Sequence, residues 1–342
     1  MDLGMDIGTS RVVIASDEKG VLLDEAATIA VSRDTGRLVA CGDEAEEMWG
    51  REPSTILVSH PMKNGVIAEY DLAEQMIRTF LSRVISNRIT KPGVALNTPR
   101  ELTQVEQSSL TEAVISAGAR RAVLVPGTVA AGLGAGLDFS GPNGTMVVNV
   151  GGGIVNAAIL TMQREAVSAY THVAGIAADE AIIRYMRDKF GMAISDREAE
   201  RAKKAIGCVS PEDNTGVFEI RGRNLLTGLP DKFPVSGDKM AQALSEFTEE
   251  TVNTIQRVLE STPPELAGDM IENGIVLTGG QARLVGLTGY LQKVTGIECR
   301  VAEDPTWCVA KGLASVFHHT GDYSTVYTLG NSSYRLSDSV TN

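Results

Sequence analysis

The distribution of apolar and polar positions along the chain predicts a mixed α/β protein with tight glycine turns. Residues 3–14 are apolar around a Gly-Thr-Ser turn, which predicts a β-hairpin. Residues 146–160 repeat this arrangement around three consecutive glycines. The two turns, Asp6-Ile7-Gly8-Thr9 and Asn149-Val150-Gly151-Gly152, share the order polar, aliphatic, glycine, small. This internal repeat predicts two similar halves that face each other across a cleft.

Apolar residues at helical spacing alternate with short strands through the rest of the chain. Within residues 72–89, Met76, Phe80 and Val84 fall on one helical face. Thr103, with a glutamate three residues later, predicts the capped start of another helix. The remaining predictions are helices at 43–50, 103–118, 129–137, 180–190, 196–206 and 239–261, strands at 21–31, 94–97, 123–125 and 274–277, and a hairpin that turns at residues 221–223.

Composition and charge narrow the class of protein. The chain has 342 residues and a mass of 36.3 kDa, enough for two or three domains. Aromatic residues make up only 5% and there are 35 glycines, which favours an aliphatic α/β core over an aromatic-rich β-sandwich. The net charge of −12 repels phosphate backbones, so we expect no nucleic-acid partner. Membrane contact would require a local apolar or basic patch.

The sequence predicts a cytoplasmic protein without a membrane-spanning segment. The N-terminus lacks the basic and apolar regions of a signal peptide. The longest uncharged run, residues 139–163, is interrupted by a proline and several glycines. The four cysteines form no metal-ligand pattern, and we expect them to be reduced and mostly buried.

Glycine turns at strand ends are candidates for phosphate binding. Such a turn exposes successive backbone N–H groups, and without a Cβ atom a phosphate oxygen can approach them closely. Asp6, at a strand end, offers a carboxylate that could hold Mg²⁺ through water. A third turn, Gly279-Gly280, also follows a strand. A single turn of this kind is typical of a plain hairpin, but three on strand ends within an internal repeat indicate a polyphosphate site.

A series of motifs gives the chain a specific resemblance over about residues 3–317. The motifs are, in chain order, Met5-Asp6-Ile7-Gly8-Thr9, Gly42-Asp43-Glu44-Ala45, Pro61-Met62-Lys63-Asn64-Gly65-Val66-Ile67-Ala68, Gly132-Leu133-Gly134-Ala135-Gly136-Leu137, Arg221-Gly222-Arg223-Asn224-Leu225-Leu226-Thr227-Gly228-Leu229-Pro230, Thr262-Pro263-Pro264-Glu265-Leu266-Ala267, Gly274-Ile275-Val276-Leu277-Thr278-Gly279-Gly280, and Asp304-Pro305 with Cys308-Val309-Ala310. In these motifs the chain resembles the superfamily of actin, sugar kinases and heat-shock chaperone ATPases, and within it the bacterial actin homologues of the MreB family.

The resemblance implies an actin-like ATPase fold, in which duplicated ribonuclease-H-like domains surround a central nucleotide cleft. Domain I is expected at 1–144 and about 310–342, with a small subdomain at about 32–70. Domain II is expected at 145–309, with a small subdomain at about 181–240. The resemblance further implies bound ATP and Mg²⁺, head-to-tail polymerisation into double filaments, and a peripheral location on the inner face of the cell membrane. There the family guides the cell-wall elongation machinery and determines cell shape.

The resemblance also implies which residues contact the cofactors. Asp6 is expected near the metal. The residues expected at the nucleotide form four groups, which are Thr9, Ser10 and Arg11; Gly151, Gly152 and Gly153; Glu200, Arg201, Ala202 and Lys203; and Gly279, Gly280, Gln281, Ala282 and Arg283.

The chain departs from the family where the chemistry takes place. Asn149 stands where the family has an acid, and Val125-Pro126-Gly127-Thr128 stands where it has a glutamate pair before a proline. Ile154-Val155-Asn156 replaces a threonine and a further acid. Hydrolysis needs a group that orients water and a metal that spreads charge. We therefore assign no catalytic residue and expect weakened hydrolysis, with the dependence on Mg²⁺ in doubt.

Several features have more than one interpretation. Arg11 replaces a small amide and either supplies positive charge to phosphate or points into solvent. Ile89, next to Arg88, either dips into anionic lipid or belongs to a solvated turn. Trp49 and Trp307 are expected to be packing residues. The whole chain is interpreted first as a filament protein, with two alternatives. One is a non-polymerising regulator or scaffold that has lost the ATPase, and the other is a small-molecule kinase, which the missing carboxylates argue against.

Overall fold

A computed structural model describes residues 2–85, 91–98 and 102–317. The chain forms two compact units. The first unit comprises Met1–Pro142, Leu160–Glu165 and Thr306–Asn342, and the second comprises Asn143–Ile159 and Ala166–Pro305. The domain and subdomain limits expected from the family resemblance remain predictions.

The chain mixes strands and helices, and five strands precede the first helix. The strands are β1 Leu3–Ile7, β2 Arg11–Ser16, β3 Gly20–Ala26, β4 Ile29–Ser32, β5 Leu38–Cys41, β6 Ile56–Ser59, β7 Met62–Lys63, β8 Val66–Ile67, β9 Gly93–Thr98, β10 Arg121–Pro126, β11 Thr145–Val150, β12 Val155–Thr161, β13 Arg164–Thr171, β14 Met192–Ala193, β15 Val217–Asn224, β16 Pro230–Ser236, β17 Ile275–Thr278 and β18 Cys299–Val301. The helices are α1 Asp43–Met48, α2 Tyr70–Val84, α3 Gln104–Ser116, α4 Gly127–Gly134, α5 Gly175–Phe190, α6 Asp196–Ile206, α7 Gly237–Ala243, α8 Ser245–Glu260, α9 Pro264–Asn273, α10 Leu287–Thr295 and α11 Cys308–Ser315, with a 3-10 turn at Gly280–Arg283.

The first unit is built on a five-stranded sheet with the order β10-β9-β1-β2-β3. β1 pairs antiparallel with β2 and parallel with β9, and β9 pairs parallel with β10. Apolar side chains from the sheet pack with α2 and α3 in one core that includes Met5, Phe80 and Leu96. α11 packs so closely on β1 that a Cβ atom on Gly4 would collide with its backbone. A separate sheet has the order β5-β4-β6, and β7 and β8 form a hairpin.

The second unit repeats this sheet with the order β13-β12-β11-β17-β18. β11 pairs parallel with β17, and β17 pairs parallel with β18, as β1, β9 and β10 do in the first unit. Its core gathers the sheet with α5 and α8 around residues such as Val148, Ile182 and Phe247. A further antiparallel sheet has the order β14-β15-β16. The matching strand orders confirm the internal repeat predicted from the two glycine turns.

Several predicted elements have different limits in the structure. The helix predicted at 72–89 ends at Val84, and the loop proposed to meet lipid, which includes Ile89, lies outside the described residues. The helix predicted at 239–261 is wrong as one element, because the buried Leu244, with φ −93° and ψ 3°, separates α7 from α8.

The predicted hairpin turn at 221–223 is also wrong. Gly222 lies inside β15, where it pairs with Asp231. A Cβ atom there would lie 2.9 Å from the Ile194 side chain, so close packing explains this glycine. The chain turns after Asn224, where Gly228 has a φ of +73°.

No helix in the described ranges is long and apolar enough to cross a membrane.

Candidate nucleotide site

The glycine turn of the second unit joins β11 to β12 and is held from two sides. The Gly151 N–H donates to the Ile154 carbonyl at 3.0 Å. A Cβ atom on Gly151 would lie 2.9 Å from the same oxygen, so the turn requires glycine there. The carbonyls of Gly151 and Gly152 accept hydrogen bonds of 3.1 and 2.8 Å from the N–H groups of Gly175 and Ile176, at the start of α5.

This arrangement leaves two neighbouring N–H groups for a ligand. In a trans peptide the N–H points opposite to the carbonyl of the same unit, and the structure contains no cis peptide bond among the residues it describes. Because the carbonyls of Gly151 and Gly152 point toward α5, the N–H groups of Gly152 and Gly153 point away from it. Neither donates a hydrogen bond within the described part of the chain. Two successive N–H groups of this kind form an anion-binding concavity.

The start of α5 was missed at the sequence level because it carries no side-chain cap. The prediction placed the helix at 180–190, but it begins at Gly175. The glycine-turn carbonyls replace the cap, since they accept the N–H groups that begin the helix. A signal for this close packing is Gly175 itself, where a Cβ atom would lie 2.6 Å from Nε2 of Gln281.

The third glycine turn lies beside the same strand end. Gly279 has a φ of +84°, and a Cβ atom there would lie 2.7 Å from Oδ1 of Asn149. The buried Thr278 hydroxyl lies 3.3 Å from the same oxygen. In the 3-10 turn that follows, Gly280 and Arg283 are exposed and Ala282 is buried. The structure therefore places Gly279 beside the end of β11, and Gln281 beside Gly175, whose N–H donates to the Gly151 carbonyl.

The predicted residues on α6 lie in different environments. Ala202 is buried, and the Lys203 ammonium lies 2.8 Å from Oδ2 of Asp179 with its side chain only 5% exposed. Glu200 forms an exposed ion pair with Lys204 at 2.7 Å. Burial raises the pKa of Asp179 to about 6, although Lys203 acts in the opposite direction.

Arg201 is the α6 candidate whose long side chain stays largely in solvent. It pairs with Glu198 at 2.8 Å while remaining 53% exposed, and its guanidinium lies 5.8 Å from the centre of the Phe218 ring. The exposed candidates on α6 are thus Glu200 and Arg201.

The first unit has the same turn geometry between β1 and β2. The Gly8 N–H donates to the Arg11 carbonyl at 2.9 Å, and a Cβ atom on Gly8 would lie 2.7 Å from that oxygen. The buried Thr9 hydroxyl accepts the Gly65 N–H at 3.1 Å. Gly65 and Asn64 both have positive φ in the tight turn between β7 and β8. The Asn-Gly pair is the sequence signal from which this hairpin, which fixes Thr9, could have been predicted, although the predicted elements do not include it.

Asp6 lies at the end of β1 in an unfavourable place for a charge. Burial, and then the neighbouring charge of Asp24, raise the pKa of Asp6 to about 7. A cation close by would relieve this, and a carboxylate oxygen is a ligand that Mg²⁺ prefers. Within the described residues no group of three or more acidic, histidine or cysteine side chains is placed to hold a metal. Asp6 therefore offers a single carboxylate, and its role as a ligand of Mg²⁺ remains a prediction.

The Arg11 side chain is held by acidic groups of the first unit and stays 40% exposed, and its role at the nucleotide remains a prediction. Its Nε lies 2.5 Å from Oδ1 of Asp24, and Nη2 donates to the Asp24 carbonyl at 2.7 Å. Nη1 lies 3.3 Å from Asp43. Trp307 donates from Nε1 to Oδ2 of Asp24 at 2.8 Å, which fits its expected packing role. The Arg11 charge is therefore paired within the first unit.

A carboxylate that the sequence pattern did not reveal lies near the position of the missing acids. Thr128, in the first turn of α4, is buried, and its hydroxyl donates to Glu165. α4 begins at Gly127, directly after β10, and Gly127 lies beside Asn97 at the end of β9. Glu165 is far away in sequence, so only the fold places it at the carboxyl edge of the parallel strands.

Comparison with known proteins agrees with this geometry. A family model described as MreB/Mbl protein matches residues 1–325. The cell shape-determining protein MreB of Escherichia coli is 38% identical over 331 residues, covering 94% of this chain and 95% of that protein. The chain belongs to the MreB/Mbl family.

Solved structures agree with this membership. MreB5 of Spiroplasma citri, with crystal structures bound to AMPPNP and to ADP, superimposes with a TM-score of 0.86 at 30% identity. In the AMPPNP complex the match covers 91% of this chain and 93% of MreB5. MamK in a double helical filament gives a TM-score of 0.80 at 19% identity, covering 93% of this chain and 98% of MamK, and supports the fold alone. This MreB/Mbl family member has the actin-like ATPase fold expected from its motifs.

Proposed function

We propose that this MreB/Mbl family member binds an adenine nucleotide, with the phosphates at the glycine turn of its second unit. The observation that carries the proposal is the pair of N–H groups at Gly152 and Gly153, which point away from α5 and lack a partner in the described residues. The nucleotide-bound structures of MreB5 support it. Titration calorimetry with ATP and ADP, with and without Mg²⁺, tests the proposal. No heat of binding at millimolar nucleotide would reject it.

We also propose that the protein hydrolyses bound ATP slowly. Asn149, Pro126 and Gly127 provide no carboxylate to orient water, and the nearby Glu165 carboxylate already accepts the Thr128 hydroxyl. Loss of a water-orienting group usually slows a reaction by about 10²–10⁴-fold. The Mg²⁺ ion, held beside Asp6, would neutralise phosphate charge. Phosphate release from the purified polymer measures the rate. Turnover equal to that of an ordinary actin homologue would reject slow hydrolysis, and the double variant Pro126→Glu, Asn149→Asp is expected to raise the rate.

The cellular role we propose is a cytoskeletal filament that determines cell shape. E. coli MreB carries that role in its name, and MamK forms a double helical filament. A head-to-tail contact between copies is heterologous and does not close, so it generates a filament. Sedimentation with and without ATP tests self-association. A monomer at high concentration under both conditions would favour the alternative, a scaffold that kept the fold and lost polymerisation.

We further propose that the filament lies on the inner face of the cell membrane and positions the cell-wall elongation machinery. The acidic chain needs a local attachment to reach anionic lipid, and the segment around Ile89 is the candidate. Cosedimentation with phosphatidylglycerol vesicles, compared with Ile89→Glu, tests the attachment. Imaging of new wall material in cells depleted of the protein tests the guidance role, and unchanged cell shape would contradict it.

A further inference from the structure

A buried ion pair lies behind the glycine turn of the second unit. The Lys203 ammonium is 2.8 Å from Oδ2 of Asp179 and also donates to the Gly175 carbonyl at 2.8 Å. The two side chains are only 5% and 15% exposed. The second carboxylate oxygen, Oδ1 of Asp179, is buried and has no hydrogen-bond partner among the residues described.

Gly175 connects this pair to the phosphate turn. Its carbonyl accepts from Lys203, and its N–H donates to the Gly151 carbonyl at 3.1 Å. When Lys203 holds Gly175 in place, Gly175 in turn holds the peptide unit between Gly151 and Gly152, whose carbonyl it contacts. That peptide unit carries the Gly152 N–H, which points away from α5 toward the proposed ligand. The contacts thus run in order from Asp179 through Lys203 and Gly175 to Gly151.

The burial of Lys203 determines what it can contact. An ammonium group loses its hydration on burial, which is costly unless hydrogen bonds and a counter-charge replace the water. Asp179 and the Gly175 carbonyl supply both. With 5% of its side chain exposed, Lys203 has almost no surface left for a nucleoside. The neighbouring Lys204 is 69% exposed and pairs with Glu200, which makes it a matched control on the same helix.

We infer that Lys203 is a positioning residue, which holds Gly175 and through it aims the Gly152 and Gly153 N–H groups at phosphate, instead of contacting adenosine. This rests on the proposed nucleotide binding and identifies the part of the nucleotide that depends on Lys203. Replacing the ammonium should weaken binding of the phosphates and leave adenosine binding unchanged.

The experiment compares Lys203→Met with Lys204→Met. Calorimetry with ATP and ADP, and NMR titration with adenosine, separate the phosphate contribution from the nucleoside contribution. Because hydrogen bonds from charged groups are among the stronger ones, we expect ATP and ADP to bind Lys203→Met at least about tenfold more weakly. Adenosine should bind within about twofold, and Lys204→Met should match the wild-type protein throughout. The double variant Asp179→Asn, Lys203→Met removes both charges and gives a folded comparison if the single variant is unstable.

A second measurement tests the positioning role of Lys203 without nucleotide, and therefore independently of the proposed nucleotide binding. Hydrogen exchange of the Gly175 and Ile176 amides in the nucleotide-free protein should accelerate in Lys203→Met and not in Lys204→Met. Equal losses for adenosine and ATP would make Lys203 a direct nucleoside ligand and overturn the inference. Unchanged exchange at Gly175 would also overturn it. If the wild-type protein bound no nucleotide, the proposed function would fail, and the exchange rates alone would decide whether the contact positions the turn.

Discussion

At the scale of single residues, Asp179 gives the protein a defined pH dependence. Its folded pKa is raised to about 6 by burial, from an ordinary value of 3.8. A raised pKa means that the folded state binds the proton more tightly than the unfolded chain does. The contribution of Asp179 to the free energy of unfolding is therefore fully present below about pH 4, and it is lost as the pH rises through 6.

This predicts how Asp179→Asn compares with the wild-type protein. The free energy of unfolding of the wild type, relative to the variant, should fall by about 2–3 kcal/mol between pH 4 and pH 7.5. Urea unfolding at several pH values measures the difference. A constant difference across that range would show that Asp179 does not titrate as its burial requires.

The glycines of the phosphate turns are a second residue-scale case. Gly151→Ala places a Cβ atom 2.9 Å from the Ile154 carbonyl oxygen, so we expect a loss of about 1–3 kcal/mol in stability from strain in the turn. Gly268, exposed within α9 with open space around it, is the control. Gly268→Ala should stabilise the protein by about 0.5–1 kcal/mol. Thermal unfolding distinguishes them, and equal effects of both changes would contradict the close contact.

At the scale of elements, α3 is a case in which sequence and structure agree. Thr103 accepts the Glu106 N–H while the Glu106 carboxylate accepts the Thr103 N–H, which is the predicted capping box. Thr103→Ala should cost about 1 kcal/mol. Val105, 76% exposed one residue into the same helix, is the control, because Val105→Ala leaves the cap intact. Chemical unfolding measures both, and a Thr103→Ala protein as stable as the wild type would contradict the role of the cap.

Elements that depend on distant contacts were not predictable in the same way. The capping box of α3 lies within four consecutive residues, so a local pattern was sufficient. The start of α5 is capped by Gly151 and Gly152, which are more than twenty positions away. Gly222 was taken for a turn residue, but it is required by the close approach of β14. In the candidate site the glycine turns were readable from their sequence, whereas Glu165, Asp179 and the pairing of Arg11 with Asp24 required the fold.

At the scale of the whole molecule, the loop between β15 and β16 presents leucines to solvent. Oδ1 of Asn224 accepts the N–H groups of Leu226 and Thr227 at 2.9 and 3.3 Å, which orders the loop. Leu226 is nevertheless 94% exposed, and Leu229 is 64% exposed. Isolated exposed leucines are common on protein surfaces. Together with Leu225, which is 45% exposed, three leucines on one ordered turn form an apolar projection of the kind that interfaces cover.

If copies of this chain polymerise as proposed, covering these leucines should contribute to the contact. Burial of one leucine is worth about 1.5–3 kcal/mol, so Leu226→Asp should raise the critical concentration for polymerisation by about tenfold or more. Val217→Asp, at a 65% exposed position on the same strand pair, is the control for added charge. Pelleting across a concentration series measures both. ATP affinity of the monomer should be the same in both variants, because neither residue is among the candidate nucleotide contacts. An unchanged critical concentration in Leu226→Asp would place the contact elsewhere, and an equal rise in Val217→Asp would attribute the effect to charge on this sheet and not to the leucines.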